Sequence, residues 1–189
     1  DRKCCFIVSS SVCEIRVATS FISVSQARRA LDYEIGNKSF SDIVNNARTA
    51  WHDILNRIEV IDAGQPEPAT WKRLEMFYTC LYRVLLFPRR LDENTPEGVY
   101  HWSPYDGNVH SGPGVTDHGF WDAFRTVYPL LALAYVEELG EIIQGWLNAF
   151  RVGGWLPKWA SPGYRGAMPG TFADVVVADA IIKNISGFD

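Results

Sequence analysis

Glu14-Ile-Arg-Val-Ala-Thr-Ser-Phe-Ile22, followed by Ser23-Val-Ser-Gln-Ala-Arg-Arg-Ala-Leu31, is the stretch in which this chain changes its hydrophobic period. Up to Ile22 polar and apolar residues alternate, as in a strand with one covered face. From Ser25 the period lengthens to about 3.6. Ser25 is therefore expected to cap a short helix through Ala27, Ala30 and Leu31 that ends near Ile35-Gly36-Asn37. Upstream, Cys4-Cys5-Phe6-Ile7-Val8 is another β-rich run, joined through a Ser-rich turn. Two strands cannot bury a face stably in water. They need partner strands from elsewhere, or a cover of helices.

The helical period then persists. Ser39 can cap a helix whose stripe is Ile43, Ala47, Ala50, Trp51, Ile54, Leu55 and Ile58, and a Gly64–Pro68 loop follows it. Trp71, Leu74, Phe77, Tyr78, Leu81, Tyr82 and Leu85 mark a third helix from about Thr70, stopped by Pro88. Residues 88–116 read as a long Gly/Pro- and aromatic-rich loop, a length that tends to be functional inside a compact domain. A helix from Asp117 to Leu133 is expected to kink at Pro129. The next, Val136–Val152, turns Leu139, Ile142, Ile143, Trp146, Leu147 and Phe150 inward, with Gly153-Gly154 as its stop. A second Gly/Pro loop (153–170) leads to Thr171, cap of a last helix running from Phe172 to Ile185. A β-rich opening followed by helices favours an α+β chain or two domains over a wound α/β sheet.

Composition narrows the function classes. The net charge of −4 and the lack of a basic stripe argue against nucleic acid. No apolar run is long enough for a membrane span. Four cysteines are too few for a disulfide scaffold. Cys80, inside a helical pattern, is expected to be a reduced, buried thiol, and a bridge from Cys4 or Cys5 to Cys13 is conceivable. The sequence has no C-x-x-C pair or H-E-x-x-H for zinc, no G-x-S-x-G and no phosphate-cradling glycine loop. The chain opens at Asp1-Arg2-Lys3 in mid-pattern and without Met, which suggests preceding polypeptide.

What stands out is the aromatic share of 13%, with seven Trp, which means either a large core or flat platforms for sugar rings. Residues 98–122 gather Tyr100, His101, Trp102, Tyr105, Asp106, Asn108, His110, Asp117, His118, Trp121 and Asp122. Aromatic faces beside carboxylates suit carbohydrate, which offers apolar C–H faces and a rim of hydroxyls. A solvated loop pinned by its aromatics is the plainer alternative. Asp122 and Arg125 share a helix face beside Trp121. They could grip adjacent hydroxyls, or form an internal ion pair that joins helices. Asp179 falls on the apolar stripe of the last helix and needs a partner there. His110 and His118 could touch substrate or be solvated loop residues; the four histidines show no metal-ligand spacing.

Several segments stand together in a familiar order: Trp51-His-Asp-Ile-Leu-Asn-Arg-Ile-Glu-Val60, Phe77-Tyr-Thr-Cys-Leu-Tyr-Arg83, His118-Gly-Phe-Trp-Asp-Ala-Phe-Arg125 with Pro129-Leu130, Gly153-Gly-Trp-Leu-Pro-Lys-Trp159, and Ala178-Asp-Ala180 closing on Gly187-Phe-Asp189. From about residue 15 onward the chain resembles the glycoside hydrolase family 92 α-mannosidases. The resemblance implies a mainly α chain with a β-rich N-terminal segment. In it, residues 1–24 would be the last strands of an N-terminal β-sandwich, 25–38 a connecting helix and linker, and 39–189 the N-terminal half of an (α/α)6-barrel catalytic domain.

It further implies a calcium-dependent, inverting, exo-acting hydrolase, many of whose relatives remove α-1,2-linked mannose from N-glycans. The partners would be a mannose-containing glycan and the remainder of the same polypeptide. The compartment would be secreted or periplasmic. By the same resemblance Trp121, Asp122 and Arg125 would line the mannose subsite, and Gly153, Gly154 and Trp155 would border it. The family's acid lies in a Gly-Asn-Glu-Pro-like segment and its base in a Gly-Asn-Asp-like one. Here Gly107-Asn108-Val109 and Gly36-Asn37-Lys38 lack those acids, so no residue is assigned a proton transfer and the fragment alone is expected to be inert. Two competing readings are a non-catalytic helical carbohydrate-binding or interaction module, and another helical-barrel enzyme such as a polysaccharide lyase drafting Tyr82 with Arg83 or His118 with Arg125.

Overall fold

The computed structural model describes residues 14–61 and 68–189. The Cys4–Val8 run, Cys13 and the Gly64-to-Glu67 part of the loop lie outside them. Helices alternate with small antiparallel sheets: α1 (Val24–Ala30) continuing into a π-helical turn (Leu31–Ile35), α2 (Phe40–Leu55), α3 (Pro68–Val84), β1 (Arg89–Arg90), β2 (Asp92–Thr95), β3 (Gly98–Trp102), β4 (Val109–Ser111), β5 (Val115–Thr116), β6 (His118–Gly119), α4 (Phe120–Ala123), α5 (Val127–Ala134), α6 (Val136–Gly153), β7 (Trp159–Ala160) and α7 (Phe172–Ile182). No helix among the described residues is long and apolar enough to cross a membrane.

Residues 14–22 form no strand ladder, and α1 starts two residues earlier than expected. Its cap is Ser23, not Ser25: the Ser23 hydroxyl accepts the Gln26 N–H at 3.0 Å. Gln26 decides this register. It is fully buried and donates its amide to the Asn94 carbonyl at 2.7 Å, a contact between α1 and the sheet. Ser20 and the Phe21 N–H bond the Glu93 carboxylate (2.6 and 2.8 Å), so the whole segment is tied to β2.

α2 begins where the sequence places it, with a complete capping box between Ser39 and Asp42. Its stripe has little cover: α2 contains no buried residue, and Ala47 and Ala50 are exposed. In α3, Leu81 is buried, but Trp71, Met76, Phe77 and Tyr82 are exposed, and so is the free thiol of Cys80, against expectation. Its position on the helix is apolar-facing only if another element covers it.

The stretch 88–116 is not a bare loop. β2, β3 and β4 make a three-stranded antiparallel sheet, with Asp92 opposite His101 and His101 opposite His110. β1 pairs with β5, and β6 with β7. Arg90 joins Asp92 (3.0 Å) and also Glu141, which ties this sheet region to α6.

The core sits where α4, α5, α6 and α7 meet. Phe120, Tyr128, Leu131, Tyr135, Leu139, Ile143 and Trp146 are each at most 3% exposed. Phe120 and Tyr128 approach the Trp146 ring edge-to-face at centroid distances of 4.7 and 5.2 Å, the orientation that aligns positive ring edges with negative faces. Tyr135 donates its hydroxyl to the Ile54 carbonyl at 3.2 Å and lies under Arg57, which pairs with Glu138 at 2.7 Å; together these hold α2 on α6. α6 ends as read, with Gly154 left-handed at φ 83°.

The single helix expected over 117–133 is instead two. Pro129 has no N–H for the Arg125 carbonyl and its ring crowds that turn, so the interruption falls at residues 124–126, just before the proline. In α7, Asp179 does not sit in an apolar seam. It is 40% exposed and pairs with Lys183 one turn on, at 2.6 Å. Val175, Ile181 and Ile182 are exposed as well while Val176 is buried, so Asp179 lies at the edge of the packed face and not within it.

Candidate functional site

Local packing positions the aromatic-acidic segment. β6 leads directly into α4, and β6 is held by β7 through the pairs His118–Ala160 and Gly119–Trp159. A Cβ at Gly119 would lie 2.5 Å from the Trp159 ring, so only glycine lets that indole lie on the strand. The pairing brings the polypeptide just after the Gly153-Gly154-Trp155 turn beside the start of α4. Phe124 stacked on Phe172 (4.2 Å, 8° between planes) fastens the other end of that helix to α7.

On α4 and in the turn just after it, the residues singled out from sequence are solvent-facing. Trp121 is 40% exposed, and Asp122 and Arg125 are exposed too. The internal ion pair does not form: Asp122 carries no ion pair among the described residues. Arg125 instead donates to the Trp121 carbonyl at 2.8 Å and places its guanidinium 5.6 Å from the Trp121 ring centroid and 4.6 Å from that of Phe124. The guanidinium is thus oriented by aromatic faces and one carbonyl, with further donors to spare. Asp122, three residues before Arg125 and exposed, offers a carboxylate with no ion pair among the described residues as a pair of acceptors facing water.

Trp155, expected to border the subsite, is also solvent-facing, at 75% exposure. Its backbone is fixed by Tyr164, a residue with no motif to announce it. The Trp155 N–H donates to the Tyr164 hydroxyl at 3.2 Å, and that hydroxyl lies against the carbonyls of Ala149 (3.3 Å) and Trp155. Gly153 is required for this closeness, since a Cβ there would stand 2.6 Å from the Tyr164 oxygen. A signal did exist in the sequence: Pro162-Gly163-Tyr164 is a turn that folds a tyrosine back, and Gly163 has φ 76°.

The histidines divide. His110 bonds Asp106 at 2.8 Å on the exposed sheet tip. There the Asn108 backbone N–H, with the Asn108 amide and His110 behind it, holds the Asp106 carboxyl well below the usual carboxylate range. His118 is not a solvated loop residue. It is 6% exposed, edge-on to Phe120 at 5.0 Å and 5.6 Å from the Trp146 ring, with neither ring nitrogen in a well-aligned hydrogen bond. Burial pushes it down to about 4, against weaker opposite pulls from the Thr116 backbone and the Asp117 charge. It borders a cavity of about 340 Å3 lined also by Phe87, Pro88, Val127 and Tyr128. Among the described residues no three His, Cys, Asp or Glu side chains are grouped to hold a metal ion, so these residues do not form a calcium cage by themselves.

Comparison with known proteins agrees with this architecture. Superposition on the inverting family 92 mannosidase BT2199 of Bacteroides thetaiotaomicron gives a TM-score of 0.82 at 42% identity. The α-mannosidase BT3965 of the same organism, also solved with mannoimidazole, gives 0.76 at 24% identity, a likeness of fold. The family 92 glycosyl hydrolase ccman5 gives 0.68 at 28%. Each match covers 90% of this chain and 22% of the other, so the chain spans about a fifth of the length of these structures. No curated protein sequence matches it. Residues 26–189 match the glycosyl hydrolase family 92 catalytic domain, and the chain belongs to that family.

Proposed function

We propose that this chain forms a sugar-holding wall of an inverting, exo-acting α-mannosidase that removes terminal, α-1,2-linked mannose from N-glycans or mannans. In this reading the groups that transfer protons lie outside its 189 residues. The observation that carries the reading is the state of Asp122: a solvent-facing carboxylate, free of an ion pair, beside an arginine already oriented on Trp121. Each carboxylate oxygen accepts from a sugar hydroxyl, and the guanidinium donates to a neighbouring oxygen, which fixes the ring's rotation. Trp155 presents an apolar face to the C–H side of a hexose, with the Gly153-Gly154 turn setting its height.

An inverting glycosidase needs an acid on the leaving oxygen and a base on a water across the ring, about 6.5–9.5 Å apart. Asp122 is a positioning carboxylate in this scheme and neither of those. Calcium, which the resemblance implies for the complete enzyme, would find no group of three acidic or histidine side chains among the described residues, and so would need ligands from other oxygens or from other polypeptide. The test is steady-state hydrolysis of α-1,2-mannobiose by the complete polypeptide carrying Asp122→Asn. The expected result is a KM raised by about tenfold or more, with both limbs of the pH–rate profile retained. Loss of one limb would make Asp122 a proton-transfer group and overturn the assignment.

A further inference from the structure

We infer that Tyr164 is a positioning residue for sugar binding, acting by fixing the Trp155 backbone and so the point from which its indole projects. The inference rests on the reading of Trp155 given above. An exposed tryptophan usually loses affinity to the entropy of ordering its own backbone and side chain. Here the backbone half of that cost is met in advance. The Tyr164 hydroxyl takes the Trp155 N–H at 3.2 Å and touches the Trp155 carbonyl, so both polar groups of one peptide neighbourhood converge on one oxygen. The same oxygen touches the Ala149 carbonyl near the end of α6, which anchors the turn to the helix core.

Tyr164 itself is braced. Its ring packs on Tyr105 at a centroid distance of 4.4 Å, and an Ala160–Tyr164 bridge and the Arg165 N–H on the Trp159 carbonyl (2.8 Å) close the turn that carries it. Tyr105 sits in the β3–β4 turn, with its N–H on the Ser103 hydroxyl at 3.2 Å. The path from the small sheet to the exposed indole is therefore continuous: Ser103, Tyr105, Tyr164, Trp155. Among the described residues the Trp155 N–H and carbonyl bond to Tyr164 alone, and the glycine at 153 is what leaves room for the tyrosine oxygen.

The experiment is a double-mutant cycle in the complete enzyme, with KM and kcat measured on α-1,2-mannobiose. Trp155→Ala is expected to raise KM by about thirtyfold, the loss of one stacking contact of about 2 kcal/mol. Tyr164→Phe, which removes only the hydroxyl, is expected to raise KM about five- to tenfold with kcat within about twofold. In the Trp155→Ala background Tyr164→Phe is expected to do nothing further. A KM for Tyr164→Phe equal to wild type, beside a raised KM for Trp155→Ala, overturns the positioning role and leaves the site reading intact. An undiminished Tyr164→Phe effect in the Trp155→Ala background overturns it equally. An unchanged KM for Trp155→Ala removes the platform reading and this inference together. Should Tyr164→Phe fail to fold, Gly153→Ala displaces the same hydroxyl and is held to the same cycle.

Discussion

The two ends of this chain's helical body solve the burial problem differently. Around α5 and α6, Tyr135, Ile143 and Trp146 are completely buried and the rings of Phe120, Tyr128 and His118 close on one indole. On α2, α3 and α7 the same kinds of residue stand in solvent: Trp71 at 63%, Phe77 at 37%, Ile181 at 59% and Ile182 at 80% exposure. The helices of both regions are amphipathic or apolar, so propensity does not separate them. Partners do. The contrast teaches that an apolar stripe predicts which face is adhesive, and only the neighbouring elements decide whether that face is covered.

The largest expected break in this contrast comes from the centre. Trp146→Ala should cost about 4 kcal/mol in urea unfolding, while Trp71→Ala should cost less than about 0.5 kcal/mol. Comparable losses at both sites would mean that α3 is covered in solution.

Within the centre, acid should act through His118. The folded-state value of His118, about 4, lies below its ordinary 6.5, so the unfolded chain binds the extra proton first. The stability tied to its neutral ring is complete above pH 6.5 and is lost as pH falls towards 4, by about 3 kcal/mol in all. His118→Phe should flatten that slope in unfolding measured from pH 7 to pH 4. An unaltered slope would place the acid sensitivity elsewhere.

At the uncovered side the effects shrink. Ser39→Ala removes half of the α2 capping box and should lower stability by about 1 kcal/mol. Ile182→Gln should leave unfolding within about 0.5 kcal/mol while reducing light scattering of the chain, since it dilutes an exposed apolar patch. A large stability loss from Ile182→Gln would contradict its exposure.

Legibility in the sequence followed the same division. The α2 cap, most of the inward row of α6 and its Gly153-Gly154 stop are local or strongly periodic and are present as read; Phe150, expected to face inward, is instead 46% exposed near the end of α6, where the covering elements run out. Features set by distant contacts were not readable. Ser23 and Ser25 are both plausible caps, and what selects Ser23 is the burial of Gln26 against Asn94, far along the chain. Strands β1 to β6 are two to five residues long, too short for a period to show, and their pairing uses residues the loop reading treated as solvated. Asp179 looked anomalous only on the assumption that its stripe was packed. At the candidate site, Trp121, Asp122 and Arg125 were singled out by motif and found solvent-facing, whereas the arginine's stacking in place of an ion pair and the bond from Trp155 to Tyr164 depend on geometry that spacing does not encode.

The most direct test of the account is an assay of the 189-residue chain alone with α-1,2-mannobiose and calcium, scoring released mannose. Hydrolysis no faster than the buffer blank is the result expected if these residues hold sugar without transferring protons. Multiple turnovers per chain, abolished by Asp122→Asn, would show that the acid and base are here after all.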